Sequence, residues 1–333
     1  MFGLSFQERL EFLWNRCMDI NIVKKILVIV GPTAVGKTYV SIELAKKFNT
    51  EIISADSMQV YKYMDIGTAK VTEQESCGIK HHMIDLIEPD EEFSVSEFQK
   101  MAERHIEEIH NKGKLPIIIG GSGLYLNSLL YDLDFGTVKS DEKIKKYYTD
   151  YYEENGTDKL YELLINADLK ACEKIHKNNV KRVIRALEVC HITGKKFSDM
   201  STDIRKPSNK YNYKIIGLEM ERDLLYQRIN KRVDLMLEDG LLDEVRTLLD
   251  KGYNMDLSSM RGIGYKEIID YLEGKVTKEE AIETLKINTR HFAKRQFTWF
   301  KADKNIQWFD LTNLSDIDLI IEKIYNTILN GVG

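Results

Sequence analysis

From Lys25 the chain runs Lys-Ile-Leu-Val-Ile-Val to Val30, a short β-branched apolar stretch of the kind that fills a buried strand. A glycine-rich turn follows it, then a helix from Lys37 to Phe48. Glu51 to Ser54 is a second short apolar strand, and Leu115 to Ile119 a third, closed by Gly120-Gly121. Strands separated by helices predict a parallel, doubly wound sheet. After Tyr131 the texture changes. Asp141–Glu154, Asp158–Asn166, Leu169–His176 and Val180–Thr193 carry helical periodicity, and no strand candidate interrupts them. Asn212–Met220 reads as a returning strand. Helices follow at Arg222–Glu238, Leu242–Lys251 and Lys278–Lys301, then a last short strand at Gln307–Asp310 and a closing helix at Asp316–Leu329. The pattern predicts an α/β core of residues 1–133 with 204–333, an all-helical insertion domain at 134–203, and a helical C-terminal part.

The turn after the first strand gives the sheet its chemistry. Gly31-Pro32-Thr33-Ala34-Val35-Gly36-Lys37-Thr38 fits G-x-x-x-x-G-K-[ST], and it sits between a strand and a helix as that motif requires. Its glycines let backbone N–H groups converge on phosphate oxygens, and the following helix offers its positive end. Lys37 is placed to neutralise the outer phosphate, and Thr38 to hold Mg2+. The expected fold class is therefore P-loop NTPase-like. A P-loop says only that a di- or triphosphate binds. No apolar strand ends in a clear second-motif aspartate: the third one runs into Gly120-Gly121-Ser122-Gly123. That argues against a motor ATPase and leaves a small-molecule kinase open.

Composition narrows the setting. The 333 residues are 43% apolar and 30% charged, an ordinary globular balance, and the apolar run at Ile26–Val30 is far too short to span a bilayer. The N-terminus lacks a basic start and a cleavage site, so no secretory leader is expected. Cys17, Cys77, Cys172 and Cys190 are widely spaced, which predicts reduced thiols in a cytoplasmic protein. A net charge of −5 argues against a protein that lives by non-specific attraction to nucleic acid, but not against a local basic surface. His81-His82 has no acidic neighbours at ligand spacing and reads as structural.

Ligands of open α/β sheets lie beyond the carboxyl ends of the strands, so Asp56, just past the second strand, is placed to face the P-loop. For an isolated aspartate there, a helix cap or turn residue is the lesser alternative. Asp56, however, opens Asp-Ser-Met-Gln-Val-Tyr-Lys, which leads into Met64-Asp-Ile-Gly-Thr-Ala-Lys70. With Gly31–Thr38, Gly120–Tyr125, Asn179–Val189, Arg261–Glu267 and Lys294–Phe300, these segments resemble the tRNA dimethylallyltransferase (isopentenyl-tRNA transferase) family, in the family's order, over about residues 23–310. Residues 1–20 lie outside the pattern, and Met18 is a candidate natural start. Val71 stands where the family usually has proline, and Ser122 where many members have threonine.

The resemblance implies transfer of a dimethylallyl group from its diphosphate to N6 of the adenosine 3′ to the anticodon in tRNA, with release of pyrophosphate. The P-loop, Gly31, Pro32, Thr33, Ala34, Val35, Gly36, Lys37 and Thr38, would bind the diphosphate, with Mg2+ on Thr38. Asp56 would accept the N6 proton, Thr33 and Arg232 would bond the diphosphate, and Ser122 would orient the reacting region. The anticodon stem-loop would meet Asp56, Ser57, Met58, Gln59 and Ser122, Lys145, Lys181, Arg182 and Arg185 on the insertion, and Arg261, Lys266, Lys294, Arg295 and Lys301. Phe297 and Trp299 are expected in the core, as large aromatics usually are. A monomer without membrane contact is expected. A prenyltransferase of free adenine nucleotides, a P-loop small-molecule kinase and a non-catalytic RNA-binding protein remain the alternatives. The helical insertion favours RNA over a mononucleotide, and intact Lys37, Thr38 and Asp56 speak against a non-catalytic role.

Overall fold

A computed structural model describes residues 24–131, 141–200 and 207–330. Cys17, Met18 and the rest of the first 20 residues lie outside them. The described residues group into two compact units, one made of those up to Leu130 and from Ser208 on, the other of those between Tyr131 and Pro207.

The first unit is built on a six-stranded sheet. Its strands are β1 (Lys24–Val30), β2 (Ile52–Ala55), β3 (His81–His82), β4 (Ile117–Gly120), β5 (Tyr211–Glu219) and β6 (Ile306–Asp310). They lie in the order β3-β2-β4-β1-β5-β6, and every pair is parallel. The buried pattern of β1, β2 and β4 follows from coverage on both faces, which is why they read as continuous apolar runs rather than alternating ones. Helices α1 (Lys37–Phe48), α2 (Glu73–Ser76), α3 (Val95–Asn111) and α4 (Gly123–Leu130) connect the first strands. Ile29, Leu44, Ile52, Ile216 and Ile324 belong to the main core cluster.

Register brings the functional loops together. Val30 stands opposite Gly120, and Gly120 opposite Ala55. The carboxyl ends of β1, β2 and β4 are thus level, and the chain leaves all three at one edge of the sheet. Gly120 allows this: a Cβ there would lie 2.2 Å from the carbonyl oxygen of Ala55.

In the second unit, α5 (Glu142–Ala167) is interrupted at Gly156, whose φ of 79° and ψ of 179° are not helical. The two periodic segments expected there, 141–154 and 158–166, are its two halves. The expected helix at 169–176 is a short 3-10 turn, Leu169–Glu173, and α6 (Val180–Thr193) and α7 (Phe197–Met200) follow. Leu160, Leu164, Val183 and Leu187 form this unit's own core.

The C-terminal stretch adds α8 (Arg222–Glu238), α9 (Leu241–Asp250), α10 (Tyr265–Leu272), α11 (Lys278–Lys301) and α12 (Ile317–Asn330). With the loop after β2, α9 and α10 form a second core around Met64, Leu241 and Tyr265. No described helix is long and apolar enough to cross a membrane.

Candidate active site

The P-loop follows β1 in a strained path. Gly31 takes φ 151°, Ala34 64° and Gly36 109°, and a Cβ on Gly31 would meet the Leu218 carbonyl oxygen at 2.6 Å. Gly36 caps α1 without any side-chain hydrogen bond, so the first amides of α1 are left for an anion. Val35 contributes backbone only, because its side chain is fully buried in the main core.

The Lys37 ammonium folds back over the loop and donates to the carbonyl oxygens of Gly31 at 3.0 Å and Pro32 at 2.9 Å. Two further groups brace the loop. Arg228 donates through Nε to the Ala34 carbonyl at 2.9 Å, and Arg232 reaches the Thr33 hydroxyl at 3.5 Å. From α11, Gln296 accepts from the Thr33 amide at 2.8 Å and donates to the Gly121 carbonyl at 3.1 Å. Gln296 therefore ties the loop after β1 to the loop after β4. A Cβ on Gly121 would lie 2.0 Å from its Nε2, so this contact explains the glycine.

Asp56 begins the turn after β2 and accepts from the Met58 amide at 2.9 Å through one carboxylate oxygen. Ser122 closes the third side. Its hydroxyl accepts from the Ser57 amide at 3.0 Å and donates to the Ser57 hydroxyl at 3.2 Å. Asp56, Lys37, Thr33, Thr38, Gln59 and Arg232 line one cavity. A second cavity, of about 570 Å³, also reaches Lys37, Thr38 and Arg232, and adds Arg228 and Lys231. The P-loop cations are thus open to two cavities.

Burial, aided by the nearby Arg232 guanidinium, lowers the Lys37 ammonium to about 8, while Asp56 pulls the other way. Burial likewise lowers Arg232. Two desolvated cations beside each other are an anion site waiting to be neutralised. This gives a pH dependence. Below about pH 8 the free protein holds Lys37 charged. Above it, binding of a diphosphate must take up a proton, so affinity weakens by up to about tenfold per pH unit. Calorimetric titration with pyrophosphate at pH 7, 8 and 9 should show a dissociation constant that is flat and then rises. A constant that stays flat through pH 9 contradicts the assignment.

The other expected contact residues are spread over both units. Met58 packs against Gly262, where a Cβ would lie 2.5 Å from its Cε. The amide of Gln59 is used internally: it accepts from Ser54 at 2.8 Å and donates to the carbonyls of Thr68 and Ala69 at 3.3 and 3.2 Å. Arg261 donates to the Met255 and Asp256 carbonyls. Lys266 lies 3.5 Å from Glu267, and Lys301 pairs with Glu219 at 2.7 Å. Lys294 and Arg295 are exposed on α11. In the second unit Lys181 and Arg182 are exposed, Lys145 pairs with Glu142, and Arg185 with the buried Glu188.

Two expectations need adjusting. Trp299 is 39% exposed rather than in the core, because Gln296 and Phe300 take the buried face of α11. Phe297 is half-buried, edge-on to Trp308 at 5.6 Å. His81 also lines the site cavity, through a ring whose Nδ1 bonds the Ile79 carbonyl at 2.9 Å. His82 keeps its structural reading, bonded to buried Glu51 at 2.8 Å. Gln296 and Arg228 were missed as site residues. For Gln296 a signal existed: it continues the series Leu285, Ala293 and Phe300 at helical spacing, and a polar residue in a core position needs a partner.

Residues 59–303 match the protein family described as IPP transferase. The chain is 51% identical over 312 residues to the tRNA dimethylallyltransferase of Clostridioides difficile strain 630, covering 93% of this chain and all of that protein. Its fold is similar to the crystal structure of the full-length tRNA isopentenylpyrophosphate transferase of Bacillus halodurans, with a TM-score of 0.70, 48% identity, and coverage of 93% of this chain and 97% of that one. It is also similar to a eukaryotic dimethylallyltransferase acting on tRNA, with a TM-score of 0.78, 35% identity, and coverage of 92% and 79%.

Proposed function

The chain belongs to the IPP transferase family, and from that premise we propose how its residues carry out the family's chemistry. The protein is a tRNA dimethylallyltransferase: it transfers a dimethylallyl group from dimethylallyl diphosphate to N6 of the adenosine 3′ to the anticodon. The observation that carries the reading of the site is the shared cavity, which the Asp56 carboxylate lines together with Lys37 of the P-loop and Arg232 of α8.

The diphosphate lies on the amides at the start of α1, with Lys37, Arg232 and the Thr33 hydroxyl around it. The bond that breaks joins an allylic carbon to the bridging oxygen, and the electron pair leaves with pyrophosphate. Fixed donors aimed at that growing charge lower the barrier, because they need no reorganisation as it forms. The bond that forms joins the same carbon to N6. An aromatic amine is a weak nucleophile and must lose a proton, which passes to Asp56 and then to water. Ser122, tied to Ser57, holds the Asp56 turn against the loop after β4. The two cavities that meet at Lys37 and Arg232 let the diphosphate and the purine approach from different sides.

Mg2+ is assigned to the Thr38 hydroxyl, which is exposed beside Lys37 at the start of α1. Mg2+ suits such a place, since it keeps most of its waters and takes one or two protein ligands with substrate phosphates. When bound, the ion would offset charge on the leaving pyrophosphate.

RNA recognition is assigned to the Asp56–Gln59 turn and to cations of both units. The target base must leave its loop to reach the cavity, and single-stranded RNA is held by splayed bases and backbone contacts. Lys145, Lys181, Arg182 and Arg185 on the insertion, and Arg261, Lys266, Lys294, Arg295 and Lys301 on the core, are the backbone contacts. Gln59 has its amide occupied, so it supports the turn rather than reading the base. The protein acts as a cytoplasmic monomer.

Incubation with labelled dimethylallyl diphosphate and unmodified tRNA tests the function. Label should enter tRNA, and AMP in place of tRNA should accept none. Label in AMP but not in tRNA would establish the free-nucleotide prenyltransferase instead, and consumption of ATP the kinase.

A further inference from the structure

Glu244, on α9, has no part in the chemistry above, yet its carboxylate is among the most heavily used in the protein. One oxygen accepts from the amides of Asp65 at 2.8 Å and Ile66 at 2.7 Å. The other accepts from the Gly67 amide at 3.0 Å and from the Tyr265 hydroxyl at 2.7 Å. Three successive backbone amides converging on one anion is the geometry by which loops bind phosphate. Here the anion is the protein's own.

The loop it grips is strained. Tyr63 and Ala69 take φ of 64° and 50°, a left-handed conformation that side chains disfavour, so the surroundings must hold it. Tyr265 is fully buried against Gly67, where a Cβ would lie 2.6 Å from its ring. The Lys70 ammonium, also buried, donates to the Tyr61 carbonyl and to Asp65 at 2.6 Å each, and to Asp85.

The far side of this loop is a wall of the active site. Thr68 and Ala69 line the cavity with Asp56, and their carbonyls take both donors of Gln59, three residues beyond Asp56. A continuous set of hydrogen bonds therefore runs from Glu244 through the loop to Gln59 and the Asp56 turn. It does not pass through the P-loop, which is braced separately by Arg228, Arg232 and Gln296.

We propose that Glu244 is a positioning residue for the acceptor adenosine: by holding the Asp65–Gly67 amides it fixes the Thr68–Ala69 wall and the Asp56 turn in the shape that admits the base, without touching either substrate. The proposal rests on the reading that this cavity receives adenine. It separates the two substrates, since the acceptor side depends on Glu244 and the diphosphate side does not.

The test compares wild type with Glu244→Gln and Tyr265→Phe in steady-state transfer to tRNA, alongside pyrophosphate affinity and thermal midpoint. Glutamine keeps the volume but turns an NH2 group toward the amides it should accept from. Loss of a charge-assisted bond predicts a tRNA KM raised about tenfold or more, with lower kcat. Pyrophosphate affinity should stay within about twofold, and Tyr265→Phe should shift the tRNA KM in the same direction by less. In Glu244→Ala, formate should restore part of the tRNA KM relative to chloride at equal ionic strength. Glu244→Gln with wild-type kcat and tRNA KM, whatever its thermal midpoint, overturns the proposal, and so does an equal loss of pyrophosphate affinity. A wild-type protein that labels no tRNA overturns the reading of the function, and this proposal with it.

Discussion

Asp56→Asn is expected to lose about 10²- to 10⁴-fold in the rate of prenyl transfer while tRNA and pyrophosphate still bind. The substitution keeps size and shape. It also keeps an oxygen to accept from the Met58 amide, so the turn after β2 should survive. What disappears is the ability to take a proton from N6 as the carbon–nitrogen bond forms. The effect should therefore lie in single-turnover rate and not in affinity. Single-turnover transfer at saturating tRNA, with filter binding of tRNA alongside, measures both. A wild-type rate in the variant would remove Asp56 from the chemistry.

Lys37→Met carries the second large effect. Its ammonium is the one charge that the P-loop itself carries, and removing one such preorganised donor commonly costs about 10²- to 10³-fold. The loss should fall on kcat/KM for dimethylallyl diphosphate and leave tRNA affinity intact. Stability should change little. The ammonium donates to the Gly31 and Pro32 carbonyls, but burial and Arg232 already disfavour its charge, and the two effects offset. A variant that simply unfolds would contradict this assignment, because Lys37 would then be a structural residue.

Much of this site is legible in the chain because local rules place it. The P-loop stands out because a strand, glycines, lysine and threonine occur in fixed order, and Asp56 because it follows the next buried strand. Level strand ends then bring the two together, a consequence of register that parallel pairing enforces. Helix α3 was legible as well but not predicted: it carries no long apolar run, yet Ser94 and Glu97 form a capping box at its start that marks it in the sequence. Other parts needed the third dimension. Strand β3 is only His81–His82, too short for any periodicity to show. Glu244 looks like one more acid on an exposed helix face, and its four donors come from residues at positions 65 to 67 and 265. Trp299 was misplaced for a related reason: whether an aromatic on α11 faces inward depends on helix phase, and Gln296 sets that phase through partners on two distant loops.

One structure tests whether Asp56 and the diphosphate cradle meet across the acceptor base: the protein crystallised with an anticodon stem-loop and a non-hydrolysable thiolo analogue of dimethylallyl diphosphate. The diphosphate is expected on the amides at the start of α1 beside Lys37 and Arg232, and the extruded adenine with N6 within about 3 Å of the Asp56 carboxylate. An adenine bound elsewhere, or an Asp56 side chain pointing away from N6 while the analogue occupies the P-loop, would contradict this arrangement.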